Sequence, residues 1–197
     1  MAAGSPAYRQ PVSPTMSLDK HSCMTRAKAL LSAPTAENLR YAALELRLCM
    51  EAITYEKLRS FAERIPESVL RTWQPPQAVK ALLEFEPDAD RSYTLSFGAE
   101  EAYGVPPKVM QVMGTHNALP LSWLRKYYNK LGRFLHSPSP GSRQSPPPED
   151  LAGELMKIVA DLEAPLASTI TGGTFGEVCT FSCARCESIV VKNAAAV

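Results

Sequence analysis

The feature that most constrains this chain is a run of some thirty residues, TAENLRYAALELRLCMEAITYEKLRSFAERI from Thr35 to Ile65, that contains neither Gly nor Pro. Nearly every position is a good helix former, Thr35 is placed to cap the start, and Pro66 closes the end. Leu39, Ala42, Leu46, Met50, Ile53 and Phe61 recur at helical spacing, and Leu44, Leu48, Ala52, Tyr55, Leu58 and Ala62 form a second stripe beside the first. An apolar band that wide has to be covered on more than one side, which puts this helix at the centre of a bundle. The expected fold class is mainly α: a helical bundle with a small C-terminal β-hairpin, resembling a zinc knuckle, as an appendage. A chain of 197 residues is long enough for one such core.

Proline shows where that core stops. Of the 17 prolines, three fall in the first 14 residues and five in SPSPGSRQSPPP from Ser137 to Pro148. The second stretch has almost no apolar side chain to bury, and both read as flexible or polyproline-like segments. The expected organisation is a disordered N-terminus (1–17), a helical bundle (18–136), a Pro/Ser-rich linker (137–148), and an amphipathic helix with a Cys-containing hairpin (149–197). The linker would tether that last part loosely. Within the bundle a helix is predicted from Leu18 to Leu31, another from Pro75-Pro76 through Leu83, and a strand at SYTLSF from Ser92. Pro106-Pro107 is read as opening a helix through Met113, and Ser122 as capping WLRKYYNKLGRFLH. Beyond the linker, Asp150 to Leu166 is amphipathic, and the tail switches to short β-type runs around a tight turn.

Charge and motifs exclude several function classes. With 21 basic and 20 acidic residues the formal charge is +1, too little for a protein that coats a phosphate backbone. No stretch approaches the roughly 18 apolar residues of a membrane span, and the N-terminus lacks the pattern of a secretory signal, so a cytoplasmic protein without membrane contact is expected. The five cysteines are then thiols or metal ligands before they are disulfides. Walker-type, G-x-G-x-x-G and H-E-x-x-H patterns are absent.

The helix from Ser122 carries the most distinctive polar pattern. Leu124, Tyr127, Tyr128, Leu131, Phe134 and Leu135 fall on one side. Arg125, Asn129, Arg133 and His136 follow at spacings of four, four and three, which aligns them on the other side, with Gly132 opening space beside them. Such a row suits a phosphodiester: Arg stabilises charge developing on phosphorus, His shuttles the proton of an attacking hydroxyl, and Asn orients. The same row also fits a solvated face near a helix C-terminus, where cations are favoured. Arg47 and Glu51, four apart on the long helix, are either an intrahelical pair or partners of that stripe. Trp73 and Trp123 with Tyr127 and Tyr128 fit a core better than a base-stacking platform.

Together the LELRLCMEAITYEKL helix and the later LRKYYNKLGRFLHSP helix resemble the helical bundle of the HEPN superfamily, in which one helix carries an LR…E segment and another ends in Arg…His. The matching residues are Arg47 with Glu51 and Arg133 with His136, and the resemblance covers Thr35 to His136. It implies metal-independent ribonuclease activity with a site completed by a second subunit. Catalytic members separate their Arg and His more widely than Arg133 and His136 are separated, and Lys130 is the nearest alternative cation. The resemblance therefore implies a non-catalytic binding or adaptor member of the kind found in prokaryotic defence and toxin–antitoxin systems. Its partner would be another protein or a second copy, with RNA as the partner of the alternative, a ribonuclease using His136 and Arg133.

Cys183-Ala-Arg-Cys186, between two β-type runs, resembles half of a zinc ribbon, in which two thiolates hold one side of a tetrahedral ion. Zinc is thus a candidate cofactor, with Cys183 and Cys186 as ligands. His21 and Cys23, or the same cysteines of a second subunit, would complete the set. Cys179 lies about 13 Å along an extended strand from Cys183, too far to share an ion. A metal-free knuckle is the other reading. A redox Cys-x-x-Cys is disfavoured because no helix follows it, and Cys49 is expected in the core.

Overall fold

The computed structural model describes residues 18–99, 107–136, 148–171, 178–184, 186–187 and 189–193. The first helix, α1 (Lys20–Leu31), starts where the Asp19 carboxylate accepts hydrogen bonds from the backbone N–H groups of Ser22 (2.8 Å) and His21 (3.3 Å). The second, α2 (Ala36–Ser60), is capped as expected by Thr35, whose hydroxyl accepts from Asn38 N–H at 3.1 Å. It ends at Ser60, short of Pro66. The chain turns over 61–65 into α3 (Glu67–Leu70) and then α4 (Pro75–Leu83). The early stop has a packing reason: Phe61 and Ile65 fold under α4 and join Leu58, Val69, Ala78, Leu82 and Ala89 in a small satellite core.

The hydrophobic stripes of α2 are buried unequally. Leu39, Ala42, Leu46 and Met50 lose all exposure, together with Ala43 and Cys49, whereas Leu44 stays 38 % exposed and Ala62 lies on the surface. The fully buried band runs through 39, 42, 43, 46, 49 and 50, and Ala52 and Leu58 of the second stripe are buried as well, so the helix is covered on more than one side. It is covered by α1, by α5 (Leu121–Leu135) and by α6 (Pro148–Leu166). Leu155, Ile158 and Leu162 of α6 sit fully buried in the same core as Leu124 and Leu131 of α5 and Ala27 of α1. The expectation of a loosely tethered last helix is corrected by this packing. Each fully buried leucine or isoleucine is worth about 1.5–3 kcal/mol, and α6 commits three of them to the bundle. Lys28 with Glu163 (2.8 Å) and Lys130 with Glu154 add ion pairs along its flanks. The proposed disordered segment 1–17 and most of the linker lie outside the described residues.

Two further expectations are corrected. The described residues 107–113 form no helix: β2 (Gln111–His116) pairs antiparallel with β1 (Tyr93–Phe97), in the register Tyr93↔His116 and Phe97↔Gln111. Pairing with a strand already committed to extended geometry outweighs the helix-opening tendency of the prolines. The other correction concerns α5, which begins at Leu121, not after Ser122, and Pro120 supplies no side-chain cap. Its first N–H, that of Leu121, is instead bonded at 3.1 Å by the Asp90 carboxylate from the turn before β1. Near the C-terminus β3 (Val178–Ser182) pairs antiparallel with β4 (Ile189–Asn193), the hairpin foreseen in the tail. The architecture is thus mainly helical, with small two-stranded hairpins attached, and no helix among the described residues is long and apolar enough to cross a membrane.

Candidate functional site

The polar residues singled out on α2 and α5 divide into two groups. Arg47 and Glu51 point into the seam between the helices, each about one-fifth exposed at the side chain. The Arg47 guanidinium lies 3.8 Å above the centre of the Tyr128 ring, its Nη1 donates to the Tyr128 carbonyl at 3.4 Å, and its Nε stands 3.7 Å from Glu51 Oε1. Tyr128 Oη donates to the same Glu51 oxygen at 2.7 Å. Gly132 completes the arrangement. A Cβ there would lie 2.6 Å from Arg47 Nη1, so the absence of a side chain on α5 is what admits the guanidinium. Burial, then the bond and the charge of Glu51, hold the Tyr128 phenol well above its ordinary range, so it stays a hydrogen-bond donor. The seam closes on itself: a cation on an aromatic face, a carboxylate accepting a phenol, and an ion pair, all largely withdrawn from water.

The second group faces outward. Arg125, Asn129, Arg133 and His136 are all exposed, and His136 follows the last turn of α5 with extended backbone dihedrals. Ser122, Arg125, Lys126, Asn129, Lys130 and Arg133 line an open depression of about 460 Å³. Lys130 is engaged by Glu154 and Lys126 lies 4.9 Å from the Tyr127 ring centre, while Arg125 and Arg133 form no ion pair among the described residues. The contacts of Arg47 and Glu51 on α5 are with Tyr128 and Gly132, on the inner side of the helix, rather than with the stripe of Asn129, Arg133 and His136. Trp123 and Tyr127, 4.7 Å apart between ring centres, are tied inward by Trp123 Nε1 donating to Asp161 at 2.8 Å. They are structural aromatics, whereas Trp73 is largely exposed and its carbonyl accepts from Tyr55 Oη.

The cysteines separate as well. Cys183 is half-buried and Cys186 exposed at the β3–β4 turn, where Glu187 adopts a left-handed φ of 59° and its N–H donates to the Cys183 carbonyl at 2.8 Å. Cys23, offered as a further ligand, is fully buried in α1 and accepts from Arg26, while His21 is exposed. Among the described residues no group of three or more His, Cys, Asp or Glu converges into a metal-holding set. The turn therefore supplies two thiols, and the side chain of Cys179 lies outside the described residues. Cys49 is in the core as expected, and burial pushes its thiol up to about 12; burial and then Glu45 raise that of Cys23. Neither is a thiolate nucleophile at neutral pH.

Sequence reasoning missed a buried polar cluster where the β1–β2 hairpin meets the bundle. Lys57 is 7 % exposed, donates to the Ala89 carbonyl, and has its ammonium lowered to about 8 by burial, against the opposing pull of Asp90. His116, 6 % exposed, has Nδ1 at 3.3 Å from the Ile170 carbonyl and its ring 5.3 Å from that of Tyr93, while Nε2 has no hydrogen-bond partner among the described residues. Burial, then the Lys57 charge, depress its pKa. One signal was available: Lys57 follows Met50 by seven residues and so lies on the buried side of α2.

The chain matches no family model, and comparison with curated proteins and with solved structures gave no significant match.

Proposed function

We propose that the chain is a non-catalytic, HEPN-like binding or adaptor module, of the kind such members supply in prokaryotic defence or toxin–antitoxin systems. The observation that carries this reading is the closed α2–α5 seam. Arg47 and Glu51, the acid and cation that catalysis would draw on, are occupied by Tyr128 and Gly132 and serve helix packing. What α5 offers outward is a docking face, with Arg125 and Arg133 at an open depression. A surface with two guanidinium groups that form no ion pair among the described residues favours an acidic protein partner, through charge complementarity that steers encounter more than it adds affinity. The Cys183–Cys186 turn is a second candidate contact, with zinc as the ion that paired thiolates would take if a partner supplied the remaining ligands.

The alternative is a metal-independent ribonuclease using His136 and Arg133, favoured by their exposure at adjacent turns near the end of α5. The two readings separate on labelled single-stranded RNA incubated with the full chain in excess chelator. The adaptor reading expects intact RNA with both wild type and His136→Ala. RNA cleavage by wild type that disappears in His136→Ala would replace it with the nuclease. Co-purification from the native host tests the partner directly, and capture should be lost in Arg125→Glu/Arg133→Glu while folding is retained.

A further inference from the structure

The end of β2 is fastened to the segment that follows α6 by a short set of polar contacts. Thr169 N–H donates to the Thr115 carbonyl at 3.0 Å, Thr115 N–H to Thr169 Oγ1 at 2.8 Å, and Asn117 N–H to Ser168 Oγ at 2.9 Å. Thr169 and Ile170 press on Gly114 so closely that a Cβ there would meet both at 2.7 Å. Little apolar burial backs these bonds: Thr169 is exposed, Ser168 and Ile170 are half-buried, and none of the three belongs to either hydrophobic core. His116 stands at the centre of the attachment. Its Nδ1 lies 3.3 Å from the Ile170 carbonyl, and because a carbonyl can only accept, Nδ1 carries the proton and Nε2 is the bare nitrogen. Nε2 is buried and has no hydrogen-bond partner among the described residues.

The groups that act on this imidazole come from each element around it. Lys57 of α2 and Lys20 of α1 are cations, β1 contributes the Tyr93 ring, and Ser168 to Ile170 carries no acidic side chain. Asp90, the carboxylate of the cluster, is bonded to Leu121 N–H and acts on Lys57. A second proton on His116 therefore sits at Nε2 without an acceptor, near an ammonium whose own partner is the neutral Ala89 carbonyl. We infer that His116 is a pH-operated latch: taking up a proton from solvent at Nε2 releases residues 168–170 from the end of β2, and with them the chain leading to the β3–β4 hairpin and its Cys183–Cys186 turn, while the bundle stays folded. A buried imidazolium lacking an acceptor has to reach water, and it does so through the attachment that opens with the least loss. That attachment is a few polar contacts, whereas the helices are held by buried leucine and isoleucine. Burial and then Lys57 favour the neutral ring in the closed state, so the latch is fully shut above about 6.5 and opens as pH falls toward the closed-state value. The latch uses neither Arg125 nor Arg133 and does not depend on the adaptor reading.

The test is backbone hydrogen exchange of the full chain between about pH 7.5 and pH 5.5, a window that brackets the ordinary histidine value, with each rate divided by the intrinsic rate at that pH. In wild type, protection at the Thr169 and Asn117 amides should fall by up to tenfold per pH unit below about 6.5, while the amides of α2 around Leu46 keep theirs. His116→Gln retains a donor for the Ile170 carbonyl but takes up no proton, and its protection at Thr169 and Asn117 should be the same at both ends of the range. His116→Phe, which also cannot titrate, gives a second reading of a pH-independent level if glutamine disturbs the packing. Constant protection at Thr169 and Asn117 in wild type overturns the inference, as does a fall of wild-type size in both non-titrating variants. Protection lost in α2 in step with Thr169 and Asn117 also overturns it, because acid would then unfold the whole chain rather than open one attachment.

Discussion

Substituting Gly132 by alanine tests the seam between α2 and α5 through the sign of its effect. In a helix interior alanine is favoured over glycine by about 1 kcal/mol, so a helix with room at that position gains stability. Here the new Cβ would come within 2.6 Å of Arg47 Nη1, so the guanidinium must shift from its place over the Tyr128 ring and beside Glu51. A desolvated cation–π contact is worth about 2 kcal/mol, and the weaker bonds lost with it add to that. Against the propensity gain, Gly132→Ala should destabilise the wild type by about 1 kcal/mol. In an Arg47→Ala background nothing occupies the gap, and the same substitution should stabilise by about 1 kcal/mol. Urea unfolding of the four chains reads this double-mutant cycle. With a slope of about 2 kcal/mol per molar urea, each change moves the midpoint by about half a molar, in opposite directions in the two backgrounds. The coupling of about 2 kcal/mol lies within the range of contacting residues. If Gly132→Ala stabilises both backgrounds equally, Arg47 does not occupy the space that glycine leaves, and the account of the seam is wrong.

Other expected outcomes follow from burial, capping and titration. Leu46→Ala, at a fully buried position, should cost about 2–5 kcal/mol, whereas Leu44→Ala, at the exposed edge of α2, should stay within about 0.5 kcal/mol; equal losses would mean that Leu44 packs as tightly as Leu46. Asp90→Ala removes the carboxylate that bonds the first N–H of α5 and should cost about 1 kcal/mol, while Ser122→Ala should be near neutral; chemical denaturation distinguishes the two. His116 is depressed in the folded state by burial and then by Lys57, with Lys20 acting the same way and the Ile170 carbonyl opposing. Unfolding therefore takes up a proton, so stability is full above the unfolded value of about 6.5 and is lost as pH falls through the folded one. Wild type should lose more stability than His116→Phe between pH 7 and pH 5, and parallel curves would remove His116 from the account. Lys57 obeys the same sign at higher pH: with its ammonium lowered to about 8, the fold should gain stability from pH 8 toward 9.5, and thermal melts should show no such gain in Lys57→Met.

Much of the fold is legible in local chemistry. Thr35 caps α2 because its hydroxyl reaches an N–H three residues on, and Pro75-Pro76 opens α4 because proline's missing donor is not needed in a first turn. The apolar side of α5 and the β3–β4 hairpin follow from period alone. The placements of Cys49 in the core and of Arg47 beside Glu51 come from the same spacing. What tertiary structure decided involves groups distant in sequence. Asp90 caps a helix that begins 31 residues later, and β1 turns residues 111–116 into a strand. Gly132 makes room for a guanidinium carried 85 residues earlier on α2, since 132 less 47 is 85. Lys57 and His116 become one buried cluster only when the hairpin docks on the bundle. Period and capping act within a few residues and are written in the chain; which inner face receives Arg47, and which polar groups lose water together, depends on surfaces that exist only once the helices have packed.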